Sequence, residues 1–199
     1  MIRQLGDPEF SRREAATAAL IKLGEQAVDA LLAHLNDPDP EIAARAGGII
    51  PMPIDIDRRV NVACRLIETA RFDLVEKGVW MLFEDAEAAL ERFRRAARTA
   101  GPVVTRAAPD IIDCMERWIS TNRLFQQNLS RRAALPPERR FSDEKYRQLE
   151  RNNEMIRTDL AQAAWLYTVA VIEEAGPSLK KRTTPTATQP APSATQPND

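Results

Sequence analysis

The chain has 199 residues, with 28 Lys and Arg against 29 Asp and Glu and a formal charge of -1. A chain of this length buries roughly 70% of its unfolded surface, so it needs no disulfide or metal staple. The near-neutral balance argues against a surface built throughout for nucleic acid or anionic membrane.

The first predicted element is a repeat. Asp7-Pro8-Glu9-Phe10-Ser11-Arg12-Arg13-Glu14-Ala15-Ala16 recurs, blurred, as Asp37-Pro38-Asp39-Pro40-Glu41-Ile42-Ala43-Ala44-Arg45-Ala46, at an offset of 30 residues. A period of about thirty residues with helical patterning marks a solenoid, in which each helix pair needs a neighbour to bury its apolar face. Asp7 is placed to cap a helix that starts at Pro8, or Ser11 to cap it with Glu14 as a capping box. Gly24 supplies the left-handed residue that ends this helix, and a second helix follows through Leu32. The order Asp-Pro, Arg-Glu-Ala-Ala, Leu-Gly over residues 5–50 resembles the HEAT-like repeats of bacterial HEAT-repeat proteins and phycobilisome lyase subunits. The resemblance implies antiparallel helix pairs, and an arginine, here Arg13, that contacts an acidic side chain of a neighbouring repeat. The second copy departs from it: Ala43 stands in the place of Arg13, and Gly47-Gly48 with Pro51 and Pro53 interrupt the expected second helix. No polar capping element precedes the first pair, so either a partner covers that end or the chain begins further upstream.

Glycine is scarce and Ala, Leu, Arg and Glu dominate, which predicts helices throughout. Pro51-Met52-Pro53 marks a break. A helix from about Asp57 to Ala70 carries Val60, Cys64 and Ile67 on one stripe. Another is expected from about Asp73 to Ala100, with Val75, Val79, Leu82, Ala86, Ala89, Phe93 and Ala96 at gaps of four and three, ended by Gly101-Pro102. A helix from Pro109 to about Arg131 places Ile111, Met115, Trp118, Asn122, Phe125 and Leu129 in a seam. A long helix from Ser142 to Ala175 does the same with Tyr146, Leu149, Asn153, Ile156, Leu160, Ala163, Tyr167 and Ala170, capped by Ser142 and stopped by Gly176-Pro177. If these two helices form a hairpin about Pro136-Pro137, Asn122 meets Asn153, and their paired amides would pin the register. The Thr-, Pro-, Ala- and Gln-rich tail lacks the apolar area to order itself. The expected layout is thus all-α: a HEAT-like repeat over 1–52, a helical bundle over 57–176 ending in a long hairpin, and a disordered tail over 177–199.

Chemistry-bearing residues are few. His34 is the only histidine, so no multi-histidine metal site can be built, and its place late in the second helix fits a structural role. Cys64 and Cys114 lack Cys-x-x-Cys spacing and lie on apolar faces, as buried free thiols do. Trp80, Trp118 and Trp165 read as the core where three helices meet. No Gly-rich phosphate loop, calcium loop or nucleophile elbow occurs, so no catalytic, cofactor or metal residue is assigned. The acid-free stretch with Arg92, Arg94, Arg95, Arg98 and Arg106 is the candidate anion-binding group, and a second set, Arg131, Arg132, Arg139 and Arg140, flanks the hairpin turn. The expected function, implied by the resemblance, is a non-catalytic scaffold or adaptor that binds a protein partner through the repeat ridge of Arg12, Arg13, Glu41 and Arg45. Nucleic-acid binding through the arginines and a lyase-like accessory role are the alternatives. The longest apolar run, Leu160 to Ile172, is too short for a bilayer, and no signal peptide is visible, so a cytoplasmic location is the default expectation.

Overall fold

The computed structural model describes residues 1–133 and 144–182. Among these residues every regular element is helical and no strand forms. A 3-10 turn over Ile2–Gly6 leads into α1 (Phe10–Leu23). There follow α2 (Val28–Ala33), α3 (Pro40–Ile49) and α4 (Ile56–Glu68). Next come α5 (Phe72–Glu84), α6 (Ala86–Ala97), α7 (Pro102–Ala133) and α8 (Glu144–Arg182). One continuous apolar core runs from Leu5 to Ile172.

The repeated Asp-Pro dipeptides do the same local work in both copies, though not as helix caps. Asp7 Oδ1 accepts the Glu9 amide at 2.9 Å, and Asp37 Oδ1 accepts the Asp39 amide at 3.0 Å, so each aspartate closes a turn two residues ahead of itself. Neither Asp7 nor Ser11 caps α1; Glu9 stands at its N-cap, and its side chain bonds no backbone amide of the first turn. In the second copy the additional Asp39-Pro40 makes a true cap, with Asp39 accepting from the Glu41 and Ile42 amides and Pro40 at the first helical position. Gly24 ends α1 at φ 55°, as its sequence position predicts. At the N-terminal end the 3-10 turn packs on α1 and α3 and buries Leu5 completely.

Polar ties between elements recur at 28 to 33 residues along the chain. Arg45 reaches Glu14 and Thr17, Arg58 reaches Glu25 and Asp29, and Arg71 reaches the Ala43 carbonyl. Lys77 Nζ donates to the Gly47 and Gly48 carbonyls at 3.1 and 3.0 Å, satisfying acceptors that the end of α3 leaves open. Burial lowers the pKa of this ammonium, with Asp73 opposing the shift.

Three expected helix ends are corrected. The single helix from Asp73 to Ala100 is two, because Asp85 turns out of the helical region (φ -134°, ψ 65°) and its carboxylate accepts the Ala88 amide to start α6. Gly101-Pro102 begins α7 rather than ending a helix, since the first helical position needs no N–H, and Pro109 lies inside α7 with its ring exposed. α8 continues through Gly176-Pro177 to Arg182; the missing Pro177 N–H releases the carbonyl of Glu173, a residue open to water. The Ser142 cap, the Pro136-Pro137 turn with Arg139 and Arg140, and the tail over 183–199 lie outside the described residues.

α7 and α8 run antiparallel. Arg106 pairs with Glu174 at 2.8 Å, and Arg157 lies 4.6 Å from the Trp118 ring centroid, so numbers rise along one helix as they fall along the other. Four residues along each helix from the Trp118–Arg157 pair, Asn122 stands level with Asn153. Asn153 is 7% exposed and Asn122 half-buried, yet no hydrogen bond joins them, so the amide pin is not made. The buried face of α8 also differs from the expected seam. Asn153, Leu160, Ala161, Ala164, Thr168, Val171 and Ile172 face inward, while Leu149, Ile156, Tyr167 and Ala170 are exposed. Small residues let the helices approach, and the heptad reading favours the large ones beside them.

Candidate functional site

The four residues of the repeat ridge are brought to the face between α1 and α3, where three of them are already engaged with one another. Arg45 Nε donates to Glu41 at 2.6 Å and its Nη1 to Glu14 at 2.7 Å; the first of these bonds contributes most to raising the guanidinium pKa. Arg13 Nε stands 3.5 Å from the same Glu41 carboxylate, and its Nη1 donates to the Asp7 and Pro8 carbonyls at 2.7 and 3.1 Å. This guanidinium also lies 5.5 Å from the exposed Phe10 ring. Arg13, Glu41 and Arg45 therefore staple the first copy to the second. Arg12, by contrast, points away to Glu9 at 2.9 Å and Asp7 at 3.7 Å, with its side chain 65% exposed.

The arginine stretch does not converge into one anion site. Arg92 pairs with Asp57 of α4 at 2.8 Å; Arg94 pairs with Glu91 and with Glu116 of α7; Arg106 pairs with Glu174 of α8. A helix presents successive residues about 100° apart, so neighbouring arginines of α6 are handed to different neighbours. Arg95 and Arg98 are exposed and pair with no acid among the described residues.

Open hollows mark the surface of the described residues. One, of about 750 Å³, lies between α6 and α7 over Leu90, Ile119 and Leu124. Its carboxylates are held in place, Glu116 by Arg94 and Glu87 by Arg123. Two others, of about 440 and 300 Å³, both touch Asn61 and Ala96 and so form one groove between α4 and α6. Glu68 closes an end of this groove. Its carboxylate accepts the Val103 and Val104 amides at 3.3 and 3.0 Å, capping α7 from a different helix, and a side chain at Gly101 would collide with it.

Cys64 also lines the groove, yet it is a buried free thiol whose pKa is pushed up to about 12 by burial and by the charge of Glu68. Cys114 is likewise free and buried, and burial raises its pKa. Neither environment generates the thiolate a nucleophile requires. His34 sits at the C-cap of α2, where its Nδ1–H donates to the Ala30 carbonyl at 2.8 Å and its Nε2 lies 4.0 Å from Asp37. Among the described residues no group of His, Cys, Asp and Glu is arranged to hold a metal ion, and no helix is long and apolar enough to cross a membrane.

Trp118 is the aromatic junction. Phe83 meets it edge-on at 4.9 Å and Trp80 at 6.5 Å, both from α5, and Arg157 of α8 covers its ring. Trp165 is half-buried on α8, and Trp80 is 39% exposed at the rim. The sequence pattern places all three in the core and gives no direct sign of the outer flank of α8, where Leu149, Ile156 and Tyr167 remain exposed. The indirect signal is an apolar stripe wider than one packed face needs.

No protein-family model matches this chain, no curated protein matches it, and no solved structure matches it.

Proposed function

We propose that this protein is a non-catalytic scaffold or adaptor that binds another protein, built on stacked HEAT-like helix pairs. The observation that carries the reading is the α8 flank: Leu149, Ile156 and Tyr167 line one side of a long helix beside the face that is packed into the core. Large apolar side chains gathered on one flank are what a partner helix or strand buries. The polar ties spaced at about thirty residues support the stacked-pair reading, since each joins one helix pair to the next. The ridge of Arg13, Glu41 and Arg45 then serves chiefly as the joint between the copies. Arg12, paired only with exposed Glu9 and with Asp7 of its own turn, is the most exposed of the ridge arginines.

Affinity capture with the full chain from lysate of the source cells, with and without nuclease, tests this reading. A stoichiometric protein that survives nuclease, is retained by Arg12→Glu, and is lost with Ile156→Glu plus Tyr167→Glu is the expected result. Loss on Arg12→Glu instead would move the site back to the ridge. Recovery of nuclease-sensitive material alone would replace the adaptor reading with nucleic-acid binding.

A further inference from the structure

We infer that the groove between α4 and α6 binds an acidic protein segment, whose carboxylates are taken by Arg65 and Arg95. This goes beyond the adaptor reading, because it names a partner chemistry and a site on helices other than α8.

Charge along the groove is unevenly satisfied. Every carboxylate that lines it is already engaged. Asp29 is held by Arg58 at 3.1 Å, Asp57 by Arg92 at 2.8 Å, and Glu68 is spent on the first amides of α7. Arg58 and Arg92 are correspondingly occupied. Arg65 and Arg95 line the same groove, are exposed, and make no side-chain hydrogen bond or ion pair among the described residues. Arg98 follows one turn along α6 in the same condition. The groove thus presents guanidinium donors with no acceptors of their own, which is the complement of a carboxylate-bearing ligand.

Two features favour a peptide over a nucleic acid. Ala96 and Ala100 line the groove half-buried, giving small apolar side chains of a bound segment a place to rest. Asp29, Asp57 and Glu68 also line it, so a polyanion with a charge on every unit would run past three carboxylates as well as the arginines. A segment with acids spaced by apolar residues avoids that conflict.

The test is an array of 12-residue peptides that vary in Asp and Glu content, probed with the full chain. Binding should rise with acidic content. Arg65→Glu with Arg95→Glu should lower it at least about fivefold, as loss of two exposed charge-assisted contacts implies. Arg3→Glu with Arg117→Glu, an equal change in net charge away from the groove, should leave it in place, and far-UV circular dichroism should show both variants folded. Binding that ignores acidic content, or equal loss in both variants, overturns the proposal. So does tighter binding of a twelve-nucleotide oligo-dT through the same two arginines, which would make the groove a nucleic-acid site. These outcomes are independent of the Ile156 and Tyr167 variants, so this inference and the adaptor reading fail separately.

Discussion

Helix α1 and the bundle α4 to α8 are held by apolar burial and ion pairs in different proportions. In α1 only Ala16 and Leu20 are buried, while Phe10, Ile21 and Leu23 stay exposed, so its attachment leans on the Arg13–Glu41–Arg45–Glu14 network. In α5, Leu74, Val75, Val79, Met81, Leu82 and Phe83 are all buried. Apolar burial is nearly indifferent to salt, whereas exposed ion pairs are weak and screened. Helix α1 should therefore loosen under conditions that leave the bundle intact.

The largest effect that sharpens this contrast is expected from Phe93→Ala, which empties a fully buried site in α6. It should cost about 3–5 kcal/mol, whereas Phe10→Ala, at an exposed site in α1, should cost little. Thermal unfolding followed by circular dichroism reads both, and similar losses would break the comparison. Glu68→Ala comes next, at about 1–3 kcal/mol, because it strands two amides at the start of α7. Chemical denaturation measures the loss, and protection of the Val103 and Val104 amides should fall with it.

Asn153→Leu should be neutral or mildly stabilising in the same denaturation assay, since the buried amide has no hydrogen bond to lose. Marked destabilisation would show that Asn153 holds the α7–α8 register after all. Arg45→Met should leave the bundle transition unchanged and speed hydrogen exchange in α1, and 0.5 M salt should mimic it in the parent chain. If α1 exchanges as slowly as α5 in high salt, the two regions are not held differently.

The last effect is silent at neutral pH and concerns a thiol. The Cys64 thiol titrates near 12 in the fold against an ordinary value of 9.0, so the folded state holds its proton more tightly. Its contribution is fully present below about pH 9 and is lost as the pH climbs toward 12. Cys64→Ala should flatten the decline in stability over that window, measured as the difference between the two pH profiles. The intact thiol should also react slowly with disulfide reagents at pH 8.

Local signals in the sequence were read well where one residue decides the outcome. Gly24 ends α1, Pro51-Met52-Pro53 breaks the chain, and Val60, Cys64 and Ile67 face the core from α4. Errors arose where an apolar period runs on through a change in backbone. The four-three spacing from Val75 to Ala96 crosses Asp85 without interruption, and only the aspartate's cap reveals the join. Gly101-Pro102 suits the start of a helix as well as its end. The candidate groove was not legible at all, because which of Arg65, Arg92 and Arg95 is left over depends on Asp57 being brought beside Arg92. Such ties are set by tertiary placement and leave no mark on spacing.

The carboxylate of Glu68 ties the first turn of α7 to the last residue of α4, so the instruction to begin the longest stretch of the bundle core is stored more than thirty residues upstream. That makes the order of assembly directional: α7 can fray at its start until α4 has docked, and only then does the α7–α8 pair gain a fixed origin. A chain cut between α4 and α7 should consequently regain a sharp unfolding transition only when both pieces are present.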